Sequence, residues 1–119
     1  MFCYARQFAK ADAIVIAAPF WDLSFPAILK AYMEQITVAG ITFEYTNGIP
    51  CGLCKAKSLI YVTTSGGPIL ADFGYEYIKA LAKGFYGISQ TKAYRATNLD
   101  VNMIAAEDVL TKADISVIE

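Results

Sequence analysis

The chain has 119 residues, 56% of them hydrophobic, a formal net charge of −1 and no histidine. That length suits one domain with a genuine core, and an apolar share above the usual soluble range points either to a sheet covered on both faces or to surface buried against a partner. Scattered Lys and Arg argue against a nucleic-acid surface, and the lack of imidazole excludes a Ser-His-Asp triad, a Cys-His pair and His-ligated metals.

Residues 1–10 read as the last turns of a helix. Ala13 to Ala18 is continuously apolar, as expected of a parallel strand buried on both faces. It runs into the turn Pro19-Phe20-Trp21-Asp22, at the carboxyl edge where open α/β sheets bind ligands. A helix should start near Ser24 or Phe25, with Ser24 as N-cap and Pro26 in the first turn. Phe25, Leu29, Tyr32, Met33 and Ile36 recur at helical spacing on its inner face, and Gly40 ends it. Residues 41–46 alternate strictly and lead to Asn47-Gly48, the strongest short hairpin signal, with 50–54 as the return arm.

Ser58 to Thr64 reads as a second buried strand, ending in the turn Ser65-Gly66-Gly67-Pro68 at the same edge. Asp72 is placed to cap a helix over 73–86, with Tyr75, Ile78, Ala82 and Phe85 inward and Gly87 closing it. Lys92 to Leu99 is a third strand. Asn102 should cap a last helix over 104–118, with Val109, Ala113 and Val117 on one side. With no linker or repeat, residues 1–119 read as one α/β domain: a parallel sheet with helices on both faces, built from three main strands plus a β-hairpin. In chain order the 13–18 strand is an edge, without charge, proline or bulge to protect it, so an upstream strand or a partner should cover it.

No apolar run approaches the roughly 20 residues of a membrane helix, and no signal-peptide pattern opens the chain. The odd set Cys3, Cys51 and Cys54 fits reduced thiols in a cytoplasm. Cys51-Gly52-Leu53-Cys54 follows a hairpin turn, whereas redox CxxC motifs use a helix N-terminus. Metal binding would need further ligands that the chain does not offer, so no metal site is expected. Glu44, Glu76 and the other carboxylates fall on outer faces and form no acid/base pair. No catalytic side chain is assigned.

Four pieces in order, 11–21 (ADAIVIAAPFW), 26–34 (PAILKAYME), 40–48 (GITFEYTNG) and 62–68 (VTTSGGP), resemble the flavodoxin-like FMN-dependent NAD(P)H:quinone and azo reductases. The resemblance covers roughly Phe8 to Leu99. It implies a five-stranded parallel sheet with FMN at its carboxyl edge, and electron transfer from NAD(P)H to a small-molecule quinone or azo acceptor. Flavin-ring contacts would come from Pro19, Phe20, Trp21, Asp22 and Leu23 after one strand, and from Thr64, Ser65, Gly66 and Gly67 after the next. Backbone N–H groups at turns can donate to the ring, and glycines admit close approach. The hairpin aromatics Phe43 and Tyr45 would reach the active site of a partner subunit, making the protein a homodimer or another oligomer.

Nothing in the chain corresponds to that family's Ser-containing phosphate loop, so its first strands and FMN phosphate anchor are expected upstream of Met1. Asp22 stands where azoreductase relatives often carry Asn. The rival reading is a truncated flavodoxin-like module without flavin or activity, folding through association. A receiver-type signalling domain is weaker, because no acidic cluster lies at the strand ends.

Overall fold

The computed structural model describes residues 1–99 and 114–119. The apolar runs pair side by side. Strand β1 (Ile14–Ala17) lies parallel to β4 (Ser58–Thr64), Ile14 beside Leu59 and Ala17 beside Val62. Strand β5 (Gln90–Thr97) continues the parallel sheet on the other side of β4, placing Thr63 opposite Arg95. Strand β6 (Asp114–Ile118) closes the order β1-β4-β5-β6 and runs antiparallel to β5. The intervening strands β2 (Phe43–Thr46) and β3 (Ile49–Gly52) form a separate hairpin. Its turn has positive φ at Asn47 (54°) and Gly48 (79°), the type I′ geometry that an Asn-Gly pair selects.

Helices α1 (Cys3–Lys10), α2 (Ala27–Ile36) and α3 (Tyr75–Leu81) bury one core with one face of the sheet. Phe8, Met33, Ile36, Tyr75 and Ile78 meet Ile14, Ile16, Leu59, Tyr61 and Ala93 there. The alternate strand residues point the other way: Val15 is 66% exposed, Val117 52%, and Val62 and Tyr94 38% each. A strand side chain changes face at every residue. Among the described residues only one face carries helices, so β1 and β4 are half-buried strands and not strands buried on both sides. On β1's free side a groove of about 510 Å³ is lined by Phe8, Ile14, Ile16, Leu29 and Tyr32.

Two helix expectations are corrected. Over 114–118 the chain is strand, because its backbone finds a hydrogen-bonding neighbour in β5; Asn102 and the rest of that predicted helix lie outside the described residues. At α2, Ser24 is not the cap: Pro26 holds that position in extended geometry, φ −59° and ψ 148°, without a side-chain cap. The Ser24 hydroxyl instead donates to the Phe73 carbonyl at 3.4 Å.

The predicted 73–86 helix is divided. After α3 the chain widens into a single π-helical turn, Ala82–Tyr86. It swings Tyr86 fully into the core, where its hydroxyl meets the Thr37 hydroxyl at 2.5 Å and its ring packs edge-on against Phe8. Gly87 then turns the chain with φ 76°.

Burial pushes the phenols of Tyr61 and Tyr86 up to about 12 and the Cys54 thiol up to about 11. These groups hold their protons longer folded than unfolded, so the folded state binds more protons over that range and stability falls as pH rises. The urea midpoint is expected to be flat below pH 9, to decline first as unfolded Cys54 ionises, and to fall steeply between pH 10 and 12. Tyr86→Phe should flatten the upper part of the decline; a profile flat to pH 12 in the wild type would contradict it.

Candidate functional site

Both turns singled out above sit at the carboxyl edge, and backbone bonds tie them together. Ala18 N–H donates to Val62 O and Phe20 N–H to Thr64 O, each at 2.9 Å. The first turn then doubles back on itself, Trp21 N–H to Ser24 O and Ser24 N–H to Trp21 O at 3.2 and 2.9 Å. Asp22 (φ 52°) and Leu23 (φ 67°) occupy its two central positions. Positive φ suits Asp moderately and strains a Leu by roughly 1 kcal/mol or more. The turn is held in that shape from outside: Leu23 O accepts from Phe73 N–H at 2.7 Å.

The second turn is zipped to the end of β5. Ser65 N–H donates to Ala96 O at 2.9 Å, Leu99 N–H to Ser65 O and Asn98 N–H to Gly67 O, each at 3.2 Å. Ser65 is buried, Thr64 exposed, and Gly66 and Gly67 are half-buried. Gly67 does not have positive φ, and a Cβ built on it would meet nothing within 4 Å. Neither its backbone nor the protein around it demands glycine.

The N–H groups of Asp22, Leu23, Gly66 and Gly67 make no hydrogen bond among the described residues. Two adjoining turns thus present two unused donors each. Those of Phe20, Trp21 and Ser65 are engaged within the chain. Pro19 has no N–H to offer.

Beside the first turn opens a cleft of about 640 Å³, lined by Trp21, Phe25, Lys30, Phe73 and Tyr77. The Trp21 and Phe73 rings on its rim are 58% and 65% exposed. The Lys30 ammonium lies 5.4 Å from the Tyr77 ring centre, a cation–π contact that leaves a positive charge in the cleft. Phe73 and Tyr77 were not picked out from sequence, although their spacing of four on a helical segment is the signal that would have found them.

The hairpin aromatics separate. Phe43 is buried at the base of the arm against Phe85, ring centres 5.0 Å apart, while Tyr45 stacks edge-on over Phe43 at 5.3 Å and stays 61% exposed. Only Tyr45 presents a ring outward. Cys51 is exposed and Cys54 buried, its thiol donating to Thr42 O at 3.6 Å, so the two sulfurs serve different environments.

Residues 3–117 match a family model described as the flavodoxin-like fold. Over 112 residues the chain is 46% identical to an FMN-dependent NADH:quinone oxidoreductase 2 of Clostridium acetobutylicum, covering 89% of this chain and 54% of that protein. A protein of Caldicellulosiruptor bescii named FMN-dependent NADH:quinone oxidoreductase is 44% identical, with the same coverage. The chain spans about half the length of the curated relatives it matches. Among solved structures, an FMN-dependent NADH-azoreductase of Bacillus anthracis in complex with FMN superposes with a TM-score of 0.73 at 30% identity, covering 91% of this chain and 53% of that one.

Proposed function

The chain belongs to the flavodoxin-like fold family, and on that premise we propose that it forms the flavin-ring side of an FMN-dependent oxidoreductase. The observation that carries this reading is the pair of tied turns with unused N–H donors at Asp22, Leu23, Gly66 and Gly67. The names of its relatives support FMN as the cofactor and NADH as the electron donor.

When bound, the flavin supplies the redox chemistry between NAD(P)H and a quinone or azo acceptor. The residues of this chain bind and orient it. Asp22, Leu23, Gly66 and Gly67 donate backbone hydrogen bonds to the ring; Pro19, Phe20, Trp21, Thr64 and Ser65 shape its edge. The open space beyond Gly67 lets the ring lie close to the backbone. Trp21 and Phe73 screen the cleft from water. No side chain acts as nucleophile or acid/base group, in keeping with chemistry carried by the cofactor. Tyr45, far along its arm and exposed, is the hairpin residue that reaches a partner's acceptor pocket in a homodimer; Phe43 supports it from below. The free thiols favour a cytoplasmic setting, and no described helix is long and apolar enough to cross a membrane.

A second reading rests on the sheet itself. Its free β1 edge and exposed Val15, Val62, Tyr94 and Val117 favour a module that folds through association, without flavin. One titration separates the two. FMN and riboflavin are each added to the purified chain while the fluorescence of its single Trp, Trp21, is followed. Saturable quenching by both is expected. No quenching by either overturns the flavin reading and leaves the association module.

A further inference from the structure

Below the two turns lies a buried ion pair that the flavin reading does not use. Arg95 Nη2 donates to Asp72 Oδ2 at 2.6 Å, with side chains only 15% and 7% exposed. The second Asp72 oxygen accepts the N–H groups of Gly74 and Tyr75 at 2.8 and 2.9 Å. Asp72 thus holds the start of α3 with one oxygen and a strand with the other. Arg95 stands opposite Thr63 in the sheet, just before β5 reaches Ala96, Asn98 and Leu99 and their bonds to Ser65 and Gly67. The whole segment between β4 and α3 is therefore fastened to β5 at both ends.

The surroundings give the pair no alternative. Asp72 is the one hydrogen-bond partner of Arg95 among the described residues, and Arg95 Nε is buried without any. The hydroxyls of Tyr61, Thr63 and Tyr75, also buried, have no partner among them. Removing one member of such a pair leaves the other as an uncompensated buried charge, which is strongly unfavourable.

We propose that Asp72 and Arg95 are positioning residues for the turn Ser65–Gly67: their ion pair fixes the backbone donors of Gly66 and Gly67 at the spacing a flavin ring requires. This rests on the flavin reading for its ligand but not for the clamp itself.

The test combines amide hydrogen exchange with the Trp21 titration, using Arg95→Gln, Arg95→Lys and Asp72→Asn. In Arg95→Gln, exchange across residues 65–75 should accelerate about tenfold or more, equivalent to about 1.4 kcal/mol of lost local protection. Exchange at residues 59–62 of β4 should not change. Riboflavin affinity should fall about tenfold, and Arg95→Lys, which keeps the charge and one donor, should recover part of it. Asp72→Asn retains an acceptor for Gly74 and Tyr75, so it reports on the clamp if Arg95→Gln does not fold. Unchanged exchange across 65–75, equal acceleration in β4, or a loosened turn with unaltered riboflavin affinity would each overturn the proposal. If the wild type binds neither flavin, the oxidoreductase reading falls, and the clamp is still decided by exchange alone.

Discussion

Gly52→Ala is expected to unseat the β2–β3 hairpin, while Gly67→Ala leaves stability unchanged and weakens flavin binding. A Cβ on Gly52 would lie 2.2 Å from Gly87 N and 2.3 Å from both Gly87 Cα and Tyr86 C. These are backbone atoms, so no side-chain rotation can relieve the clash. Gly87 is itself constrained by its φ of 76°, and Tyr86 by its bond to Thr37. The hairpin must lift off. Overpacking of this kind costs on the order of 3 kcal/mol, about 10–20 °C in Tm for a domain this small.

At Gly67 the same methyl meets no protein atom, so thermal unfolding should not move. If flavin lies against that backbone, the methyl stands between them, and FMN affinity should drop about tenfold or more, roughly 1.4 kcal/mol. The pair separates packing from ligand approach. Equal Tm values for Gly52→Ala and the wild type would show the hairpin contact to be soft. Unaltered FMN affinity in Gly67→Ala would move the ring elsewhere.

Val15→Lys is expected to change the state of association. Val15 is 66% exposed on β1, which has β4 on one side and no described strand on the other. An apolar strand with unpaired backbone groups is a template for another chain, and a lysine is the usual guard against it. The wild type should sediment as a dimer or larger species with clear concentration dependence. Val15→Lys should shift it to monomer with an unaltered far-UV spectrum. Val62→Lys, on the same face but on the inner strand β4, tells face from edge: dissociation by both substitutions means the sheet face is buried, and by Val15→Lys alone means strand pairing. A wild type that is monomeric at every concentration would show that this edge tolerates water.

Signals written in neighbouring residues were legible in the sequence. Asn47-Gly48 names its turn by its own φ preferences, and Asp72 was readable as the anchor of α3 because its N–H partners lie within three residues. What depended on distant chain was not. Ala13–Ala18 is apolar at every position, so the pattern cannot tell a strand covered on both faces from one covered on a single face. Residues 114–118 are too short for periodicity to separate helix from strand, and pairing with β5 decides. Phe43 and Tyr45 alternate identically along the arm, yet proximity to Phe85 buries only the first. Of the site, both turns were found, but not the tie between them or the role of Arg95. Its signal was there: a charged residue following Thr91 and Ala93 at alternate positions, on the face that a strand turns to its core.

The π-turn at Ala82–Tyr86 also sets how this region can change over evolutionary time. One residue more than an α-helix would use is accommodated there. Deleting any one of the five would restore regular geometry and rotate all that follows by about 100°. Tyr86 would leave the core, its bond to Thr37 would break, and Gly87 would no longer meet Gly52 under the hairpin. Substitutions at the exposed Lys83 and Gly84 should be tolerated freely, while their number is fixed. In a set of natural variants, this stretch should drift in composition and never in length, whereas insertions should collect in the exposed loop ahead of Asp72.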